Sequence, residues 1–323
     1  MPNPVLLEKA AGVWLDSFYS EWFTEWMETY KGNEVKEGTL IAYRNVYDAY
    51  IKRHKLAQRP INAMRTEDIQ GFYNDLHKRN ISKSTISLTS AVLSNSLKKA
   101  ERLGYIEKNP CTLATIPKKA KEAKHHRALT KSEQEIFMKY AEESYLYNAF
   151  VVLLNTGMRR GELIALKRSD ISMKNKILHV RHTMKFDSGR TFEDTPKTKT
   201  SRRDIPLTPK AYEAIERQRK KYGESENGYI FTMLNGDILA HNTLQGEINR
   251  IIEKAKAAGE KIEHFTCHDL RDTFATRCIE AGMTPNTLKN ILGHAKLSMT
   301  MDLYAQVLPD EKREALEAVA YAL

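Results

Sequence analysis

The chain has 323 residues, 41% of them hydrophobic and 28% charged, which is enough for two ordinary domains with buried cores and excludes a wholly disordered protein. Lys and Arg outnumber Asp and Glu by 51 to 41, and this excess favours a polyanionic partner, nucleic acid first, although a merely basic protein has the same balance. Three cysteines without paired spacing, a start unlike a signal peptide and no bilayer-length apolar run predict a cytoplasmic protein with no membrane partner.

Residues 14–115 have the pattern of a helical domain that follows a short tail at 1–13. Four aromatic residues at four-residue intervals form the apolar stripe of its first helix: Trp14, Phe18, Trp22 and Trp26. The same period predicts three more helices, near 37–54, 66–79 and 83–103. Ser82 with Thr85 is typical of a helix start, and Gly104 of a helix end.

A basic segment at 116–128 links this domain to the next globular pattern. Its Lys and Arg residues stand against a single acid, Glu122. A charge run is usually a solvated surface, but the position between two domains makes a segment that follows a phosphate backbone an equal alternative. The candidates for contact with nucleic acid here are Lys118, Lys119, Lys121, Lys124 and Arg127.

From residue 129 to 308 the pattern changes to helices with a short β insert. Thr130 followed by Glu133 predicts a capped helix, and the buried-helix pattern YNAFVVLLNTGM ends near Gly157. Two short runs predict strands on either side of a polar, basic turn: 177–182 and 203–207. From Pro209 onward the pattern is helical, and 309–323 predicts an amphipathic helix that packs in cis or docks on a neighbouring copy.

The segment TGMRRGE places Arg159 near a helix start, where backbone N–H groups and the helix dipole also attract anions. Glu162, three residues later, is spaced to brace the guanidinium. Leu163 and Leu166 would face the core at helical spacing. A surface arginine on an ordinary amphipathic helix would give the same pattern, so this motif alone defines no site.

In HDLRDTFAT, His268 and Arg271 stand three apart, so a helix would present both on one face. A guanidinium can bind the non-bridging oxygens of a phosphate, and an imidazole can move a proton. The alternative is a metal site, because His264 and Cys267 lie close by in the sequence. No second ligand group of matching spacing follows, so we expect no metal.

In LKNILGHAKLSMTMDLYAQVL, Gly293 is placed to end a helix in the left-handed conformation and to deliver His294 beyond it. Tyr304 follows ten residues after this histidine, on a short helix that opens near Ser298. A lone tyrosine among apolar residues is more often part of a core than a nucleophile. This segment alone therefore leaves both roles open for Tyr304.

The segment TPKTKTSRRDIPL carries four cations with no acid between them: Lys197, Lys199, Arg202 and Arg203. A basic turn between two strands can reach over a phosphate or into a groove. The tip of a solvated hairpin would give the same pattern. We treat these residues as candidate contacts with nucleic acid.

The ordered set TGMRRGE, PKTK, HDLR, LGH and a tyrosine ten residues after that histidine closely resembles the tyrosine recombinase, or phage integrase, family. The subgroup most resembled is the integrases of temperate phages and conjugative transposons. The resemblance implies a mainly α fold with a small β-sheet. An all-helical, SAM-like core-binding domain at 14–115 would form a two-domain clamp with a mixed α+β catalytic domain at 129–308.

The family implies cleavage and rejoining of DNA through a covalent 3′-phosphotyrosyl intermediate. Carried over by position, the catalytic set is Arg159, Lys197, His268, Arg271, His294 and Tyr304, supported by Glu162. The two arginines would hold the phosphate, His294 would donate to one of its oxygens and Tyr304 would attack it. His268 would transfer protons and Lys197 would protonate the leaving oxygen, with Lys199 as the alternative lysine.

Two positions depart from the family pattern. Asp272 and Gln306 each stand where family members often have histidine. Neither position is a core catalytic group in the family, so the implied reaction class is unchanged. The thirteen residues before Trp14 are also too few for the arm-binding domain that many integrases of this subgroup carry.

The resemblance also implies partners and cofactors. It predicts double-stranded DNA with specific recombination sites, a homotetramer on synapsed DNA and no cofactor or metal; an excisionase or a DNA-bending protein is a candidate accessory partner. Three alternatives remain at this stage. They are a topoisomerase of type IB, a non-catalytic DNA-binding protein on the same fold, and a zinc hydrolase built on the cluster from His264 to His268.

Overall fold

A computed structural model describes residues 17–118, 127–187, 190–194, 202–223 and 225–307. The chain divides into two compact units, residues 1–125 and 126–323. This division falls inside the segment predicted as a linker, and the exact bounds of the linker and the domains stay predictions. The predicted tail at 1–13 and the predicted helix at 309–323 lie outside the described residues.

The first unit is helical throughout its described part. Its α-helices are α1 (Tyr19–Glu25), α2 (Glu37–Val46), α3 (Thr66–Lys78) and α4 (Lys83–Arg102). π-helical turns continue α1 and α2, and 3₁₀ turns precede α3: Trp26–Lys31, Tyr47–Ile51, Lys55–Gln58 and Ile61–Ala63. Ser82 accepts the Thr85 N–H at 3.3 Å, and Gly104 follows the end of α4 with φ +76°. The three later predicted helices are confirmed, and so are the start signal at Ser82 and the stop signal at Gly104.

Aromatic side chains tie α1 to α4. Trp22 is fully buried and donates from Nε1 to the Ser96 carbonyl at 3.2 Å, and the hydroxyls of Tyr19 and Ser96 lie 2.8 Å apart. The prediction that Phe18 belongs to the buried stripe is wrong, because α1 begins only at Tyr19. Phe18 occupies the N-cap with an extended backbone and is 41% exposed. Trp14 lies outside the described residues.

The second unit begins with helices, inserts two small sheets and returns to helices. Its α-helices are α5 (Lys131–Ala141), α6 (Tyr147–Thr156), α7 (Arg160–Ile164), α8 (Pro209–Tyr222), α9 (Thr243–Ala257), α10 (Cys267–Glu280), α11 (Pro285–Leu292) and α12 (Ser298–Val307). Its strands are β1 (Ile171–Ser172), β2 (Ile177–Val180), β3 (Thr183–Asp187), β4 (Arg190–Asp194) and β5 (Arg203–Pro206). This order confirms a mainly α fold with a β insert.

Strands β1, β2 and β5 form an antiparallel sheet in that order, in which Val180 pairs with Arg203. Strands β3 and β4 form a separate antiparallel hairpin. The sequence predicted only a polar turn here, because charged residues interrupt the apolar alternation of TMKFD and RTFED. Helix α7 packs closely on β3, since a Cβ at Gly161 would lie 2.6 Å from the Met184 carbonyl oxygen.

The core of the second unit is centred on α6, where Phe150 and Val152 are fully buried. The Phe137 ring makes edge contacts with the rings of Phe150 and Phe265, with centroids 5.1 and 5.0 Å away. Helices α8 and α10 both pack against α6. Within the described ranges, none of the helices has the combination of length and apolar character that a membrane crossing needs.

Two glycines in the left-handed conformation end the helices that border the candidate site; the helix end near Gly157 and the left-handed turn at Gly293 were both predicted. Gly157 ends α6 with φ +62°, and Gly293 ends α11 with φ +68°. The turn at Gly157 is also crowded, because a Cβ there would lie 2.4 Å from the ring of Phe274. The two turns fix where the Gly157 carbonyl and His294 lie.

Thr130 and Glu133 form the predicted capping box at the start of α5, where each side chain accepts the other residue's backbone N–H, at 3.1 and 3.0 Å. We expect Thr130→Ala to lower the free energy of unfolding by about 1 kcal/mol, because one N–H of the first turn loses its acceptor. Thr130→Ser keeps the hydroxyl and should stay close to the wild type. Urea unfolding followed by circular dichroism measures both, and equal midpoints for Thr130→Ala and the wild type would contradict the cap.

Candidate active site

Arg159 occupies the N-cap of α7, where Glu162 holds it at two points. Glu162 Oε2 accepts the Arg159 backbone N–H at 2.9 Å, and Oε1 accepts from Nη1 at 2.8 Å. The predicted bracing contact is therefore present. The Arg159 side chain is 38% exposed while that of Glu162 is 3% exposed. The carboxylate anchors the base of the arginine and leaves part of its guanidinium facing outward.

Arg203 is a second partner of Glu162, and its position differs from the prediction. Its Nη1 and Nη2 donate to the two oxygens of Glu162 at 3.0 and 2.8 Å, and its side chain is only 4% exposed. The prediction of an exposed basic turn available to DNA is wrong for this residue. Along β5 alternate side chains point inward, so Arg203 and Ile205 are buried whereas the neighbouring Arg202 is exposed.

Arg271 lies on α10 with its guanidinium buried against backbone carbonyls. Nη1 donates to the Gly157 oxygen and Nη2 to the Leu292 oxygen, both at 2.6 Å. Burial lowers the pKa of Arg271 to about 9, and the positive charges of Arg159 and Arg203 contribute. The group stays protonated at neutral pH, and its charge is held by carbonyl dipoles.

His294 follows the left-handed turn at Gly293 and is 9% exposed. Its Nδ1 lies 3.0 Å from the hydroxyl oxygen of Thr300, which is fully buried. Burial, followed by the positive charges of Arg271 and Arg159, lowers the pKa of His294 to about 4. The imidazole is therefore neutral near pH 7. If the Thr300 hydroxyl donates to Nδ1, the ring proton is on Nε2.

His268 lies on the same helix as Arg271 but faces outward, with 48% of its side chain exposed. Its Nε2 is 4.0 Å from a carboxylate oxygen of Asp272, one turn along α10. The charge of His268 is among those that lower the pKa of His294, so the two imidazoles share one electrostatic environment. The helix thus presents its arginine inward and its histidine to solvent.

The zinc alternative built on His264, Cys267 and His268 finds no support in the described part of the chain. No group of three or more His, Cys, Asp or Glu side chains there is arranged to hold a metal ion. Cys267 is buried, and burial raises the pKa of its thiol to about 12. A thiol in that environment is a poor source of the thiolate that zinc requires.

Tyr304 lies on α12, as predicted, and its phenol is held by a backbone carbonyl. The side chain is 7% exposed and packs in a cluster with Ile279, Leu288 and Leu292. Its hydroxyl donates to the backbone carbonyl of Met283. In this conformation the phenol oxygen is held by the loop between α10 and α11.

The remaining candidates divide by exposure. Lys118 and Arg202 are exposed, and the other linker and turn lysines lie outside the described residues: Lys119, Lys121, Lys124, Lys197 and Lys199. Arg127 is different, because Nη1 and Nη2 bind Glu133 at 2.7 Å each. Its fork is already occupied, which argues against the predicted contact with DNA.

The position of Thr300 beside His294 and the burial of Arg203 were not predicted from the sequence. Thr300 stands six residues after His294 and four before Tyr304, so helical spacing alone placed it on the same face as the tyrosine. Arg203 alternates with Ile205 in β5, and the period of a strand would have predicted its burial. In both cases the spacing along the helix or strand indicated the burial, but a charged or hydroxyl side chain is usually expected at the solvent-exposed surface.

Comparison with known proteins identifies the family. Residues 127–311 match the phage integrase family, and residues 18–77 match the N-terminal SAM-like domain of phage integrases. A XerC-like tyrosine recombinase from Caldanaerobacter subterraneus subsp. tengcongensis is 31% identical over 88% of this chain and 78% of its own length. The transposase of transposon Tn916 from Enterococcus faecalis is 28% identical over 86% of this chain and 71% of its own length.

A solved structure shows the same fold. The Tn1549 transposon integrase, in complex with a circular-intermediate DNA, matches with a TM-score of 0.82 and 25% identity over 94% of this chain and 99% of that chain. The chain therefore belongs to the phage integrase family, whose members are tyrosine recombinases. The resemblance and the fold class expected from the motifs are confirmed.

The lowered pKa of His294 makes stability depend on pH. Its native pKa of about 4 lies below the ordinary value of 6.5. Between these two pH values the imidazole is protonated in the unfolded chain but not in the native one. The free energy of unfolding therefore falls as the pH drops from 6.5 towards 4. We expect His294→Gln to lose less stability than the wild type over this window. Chemical unfolding at a series of pH values measures the difference, and parallel curves would contradict it.

Proposed function

We propose that this recombinase cuts and rejoins DNA through a covalent bond between Tyr304 and a 3′ phosphate, for integration and excision of a mobile element. The observation that carries the proposal is the concentration of positive charge around His294. Three arginines and His268 all lower the pKa of this imidazole. The carboxylate of Glu162 binds Arg159 and Arg203, whereas Arg271 is held by backbone carbonyls. The cations outnumber this carboxylate, and a DNA phosphate would supply a further negative charge.

The arginines suit the charge that develops during phosphoryl transfer. A phosphodiester repels nucleophiles, and its negative charge grows as a fifth oxygen approaches phosphorus. The guanidinium of Arg159 is partly exposed and can donate to non-bridging oxygens, while the buried guanidinium of Arg271 adds its positive charge beside it. Carbonyls hold Arg271 without neutralising its charge, so the positive potential remains available to the phosphate.

The neutral His294 would act as a hydrogen-bond donor. If the Thr300 hydroxyl, 3.0 Å from Nδ1, is the donor in that contact, Nε2–H would point away from it towards the phosphate oxygens. A neutral donor adds a hydrogen bond without adding repulsion to the cluster of cations. Thr300 would therefore set the tautomer on which this donation depends.

Tyr304 would supply the nucleophile and other side chains the proton transfers. Tyrosine has an ordinary pKa of about 10, so attack near neutrality needs a proton acceptor, and exposed His268 is suited to that role. Lys197 would protonate the departing 5′ oxygen, with Lys199 as the alternative. Since the cations stabilise the charge and the phosphotyrosyl bond conserves the energy of the broken one, neither a metal nor ATP is required.

Strand exchange defines the partners. Two duplexes offer four strands to cut, so four protomers on double-stranded DNA would complete one recombination. The similar proteins include a transposon transposase and a transposon integrase bound to a circular intermediate, which supports a mobile element as the substrate. Accessory proteins such as an excisionase would then set the direction of exchange.

The role of Tyr304 can be tested with a duplex nicked beside the scissile phosphate. After cleavage the short strand with the free 5′ hydroxyl diffuses away, so the covalent adduct cannot be rejoined and accumulates. We expect the wild type to form a covalent protein–DNA adduct, and Tyr304→Phe to form none while still binding DNA. Denaturing electrophoresis with labelled DNA measures the adduct. An adduct of equal yield in Tyr304→Phe would exclude this tyrosine as the nucleophile.

A matched assay separates the recombinase from a topoisomerase of type IB. Joining of two marked duplexes at their specific sites supports recombination. Relaxation of supercoils by a single bound protomer, with no joined product, would instead support the topoisomerase.

The basic linker should contribute to DNA affinity through salt-dependent binding of phosphates. Replacing Lys118 and Lys119 with Gln should reduce the slope of log affinity against log salt by about 0.9 for each phosphate that the variant no longer neutralises. Arg127→Gln is the control, because its guanidinium is already bound to Glu133. Fluorescence anisotropy at several salt concentrations gives the slopes, and an unchanged slope in the lysine variant would remove the linker from the interface.

A further inference from the structure

The most unusual polar group outside the family motifs is the guanidinium of Arg203. It is 4% exposed and its partner Glu162 is 3% exposed. Burying two charges costs free energy that their attraction only partly returns, and well-packed apolar residues often serve stability equally well. Packing alone therefore gives no reason for this pair, and its hydrogen bonds suggest a different use.

Arg203 makes hydrogen bonds in two directions. Its Nη1 and Nη2 hold both carboxylate oxygens of Glu162, and its Nε donates to the Ile291 carbonyl at 2.5 Å. The same two carboxylate oxygens hold the backbone and the side chain of Arg159. One guanidinium thus connects the start of α7, through a shared carboxylate, to the end of α11.

The end of α11 receives a second arginine beside the first. The last carbonyls of a helix lack partners within it and lie at the negative end of its dipole. The Ile291 carbonyl accepts from Arg203 in this way, and that of Leu292 accepts from Arg271. Gly293 and His294 follow immediately, so both arginines hold the turn that carries the imidazole.

These hydrogen bonds close a ring. From Arg159 it runs through Glu162 and Arg203 to the end of α11, and from there through Arg271 to the Gly157 carbonyl. Gly157 stands two residues before Arg159 in the sequence. Arg159 and Arg271, which the proposed function places at the phosphate, belong to this ring. His294 adjoins it, two residues after Leu292.

We infer that Arg203 is a positioning residue for the cleavage reaction: through Glu162 it aims the Arg159 guanidinium, and through the Ile291 carbonyl it places the turn that bears His294. The inference rests on the proposed function and adds a residue that does not touch DNA. Arg203 is also the first residue of β5.

The first experiment uses the full chain and the nicked duplex. Arg203→Lys keeps the charge but cannot bind Glu162 with two prongs and Ile291 at once. We expect DNA affinity within about threefold of the wild type and a rate constant for adduct formation, at saturating DNA, lower by about ten- to a hundredfold. Arg250→Lys is the matched control, because Arg250 binds Glu247 through two hydrogen bonds on the exposed face of α9, and its rate should be unchanged.

A double-mutant cycle tests the route through Glu162. Glu162→Gln should slow adduct formation by itself, and adding Arg203→Lys should then cost less than it does in the wild-type background, because both changes break the connection to Arg159 and only the second also breaks the one to Ile291. If the rate losses of the two single variants multiply in the double variant, Arg203 does not act through Glu162. A wild-type rate in Arg203→Lys would overturn the inference, and so would weaker DNA binding with an unchanged rate constant, which indicates direct contact with DNA.

An apolar replacement guards against misfolding of the lysine variant. Glu162→Leu combined with Arg203→Met removes the pair and leaves no buried charge. It should melt near the wild-type temperature and bind DNA but form the adduct as slowly as Arg203→Lys. Rapid adduct formation would overturn the inference. If the wild type itself forms no adduct, the proposed function is wrong. If the wild type forms the adduct and the Arg203 variants form it equally fast, only the inference about Arg203 is wrong.

Discussion

The carboxylate of Glu162 is the group on which the arrangement of the site depends. Burial raises its pKa, but the hydrogen bond and charge of Arg203, followed by the charge of Arg159, lower it to about 2. Glu162 therefore remains ionised at any physiological pH. An ionised, buried and doubly bound carboxylate has one orientation, and the arginine that it holds shares that constraint.

Backbone carbonyls hold Arg271 and contribute to holding Arg203. Arg271 rests on the oxygens of Gly157 and Leu292, and Arg203 adds a third carbonyl, that of Ile291. A carbonyl satisfies an N–H donor without cancelling its charge, whereas a carboxylate does both. Glu162 fixes the orientation of the Arg159 side chain, and the carbonyls hold Arg271 without cancelling its charge. Together these contacts leave a positively charged, preorganised site for an anion.

The sequence predicted what local spacing controls. The helix limits around α3 and α4, the capping box at Thr130, and the glycine turn before His294 all follow from a few neighbouring residues. The motifs also identified the family and the residues that border the arginine cluster. Each of these features needs only the chain within one or two helical turns.

What the sequence could not predict depends on packing between distant segments. Arg203 and Glu162 are 41 residues apart, and nothing near either one shows that they meet. The β3–β4 hairpin is stabilised by ion pairs such as Lys185 with Asp194, so its strands lack the apolar alternation by which strands are recognised. The hydrogen bond from the Tyr304 hydroxyl to the Met283 carbonyl joins α12 to the loop between α10 and α11. No local sequence pattern predicts that these two elements pack together.

Thr300 and Tyr304 stand one turn apart on α12, and each holds a different neighbour, His294 and the Met283 carbonyl. A rigid shift of this helix that draws the phenol out of its resting position also pulls the threonine hydroxyl from the imidazole. The orientation of one aromatic ring and the release of the other are therefore mechanically linked. A shift of α12 as one body therefore changes the contacts of Tyr304 and of His294 together.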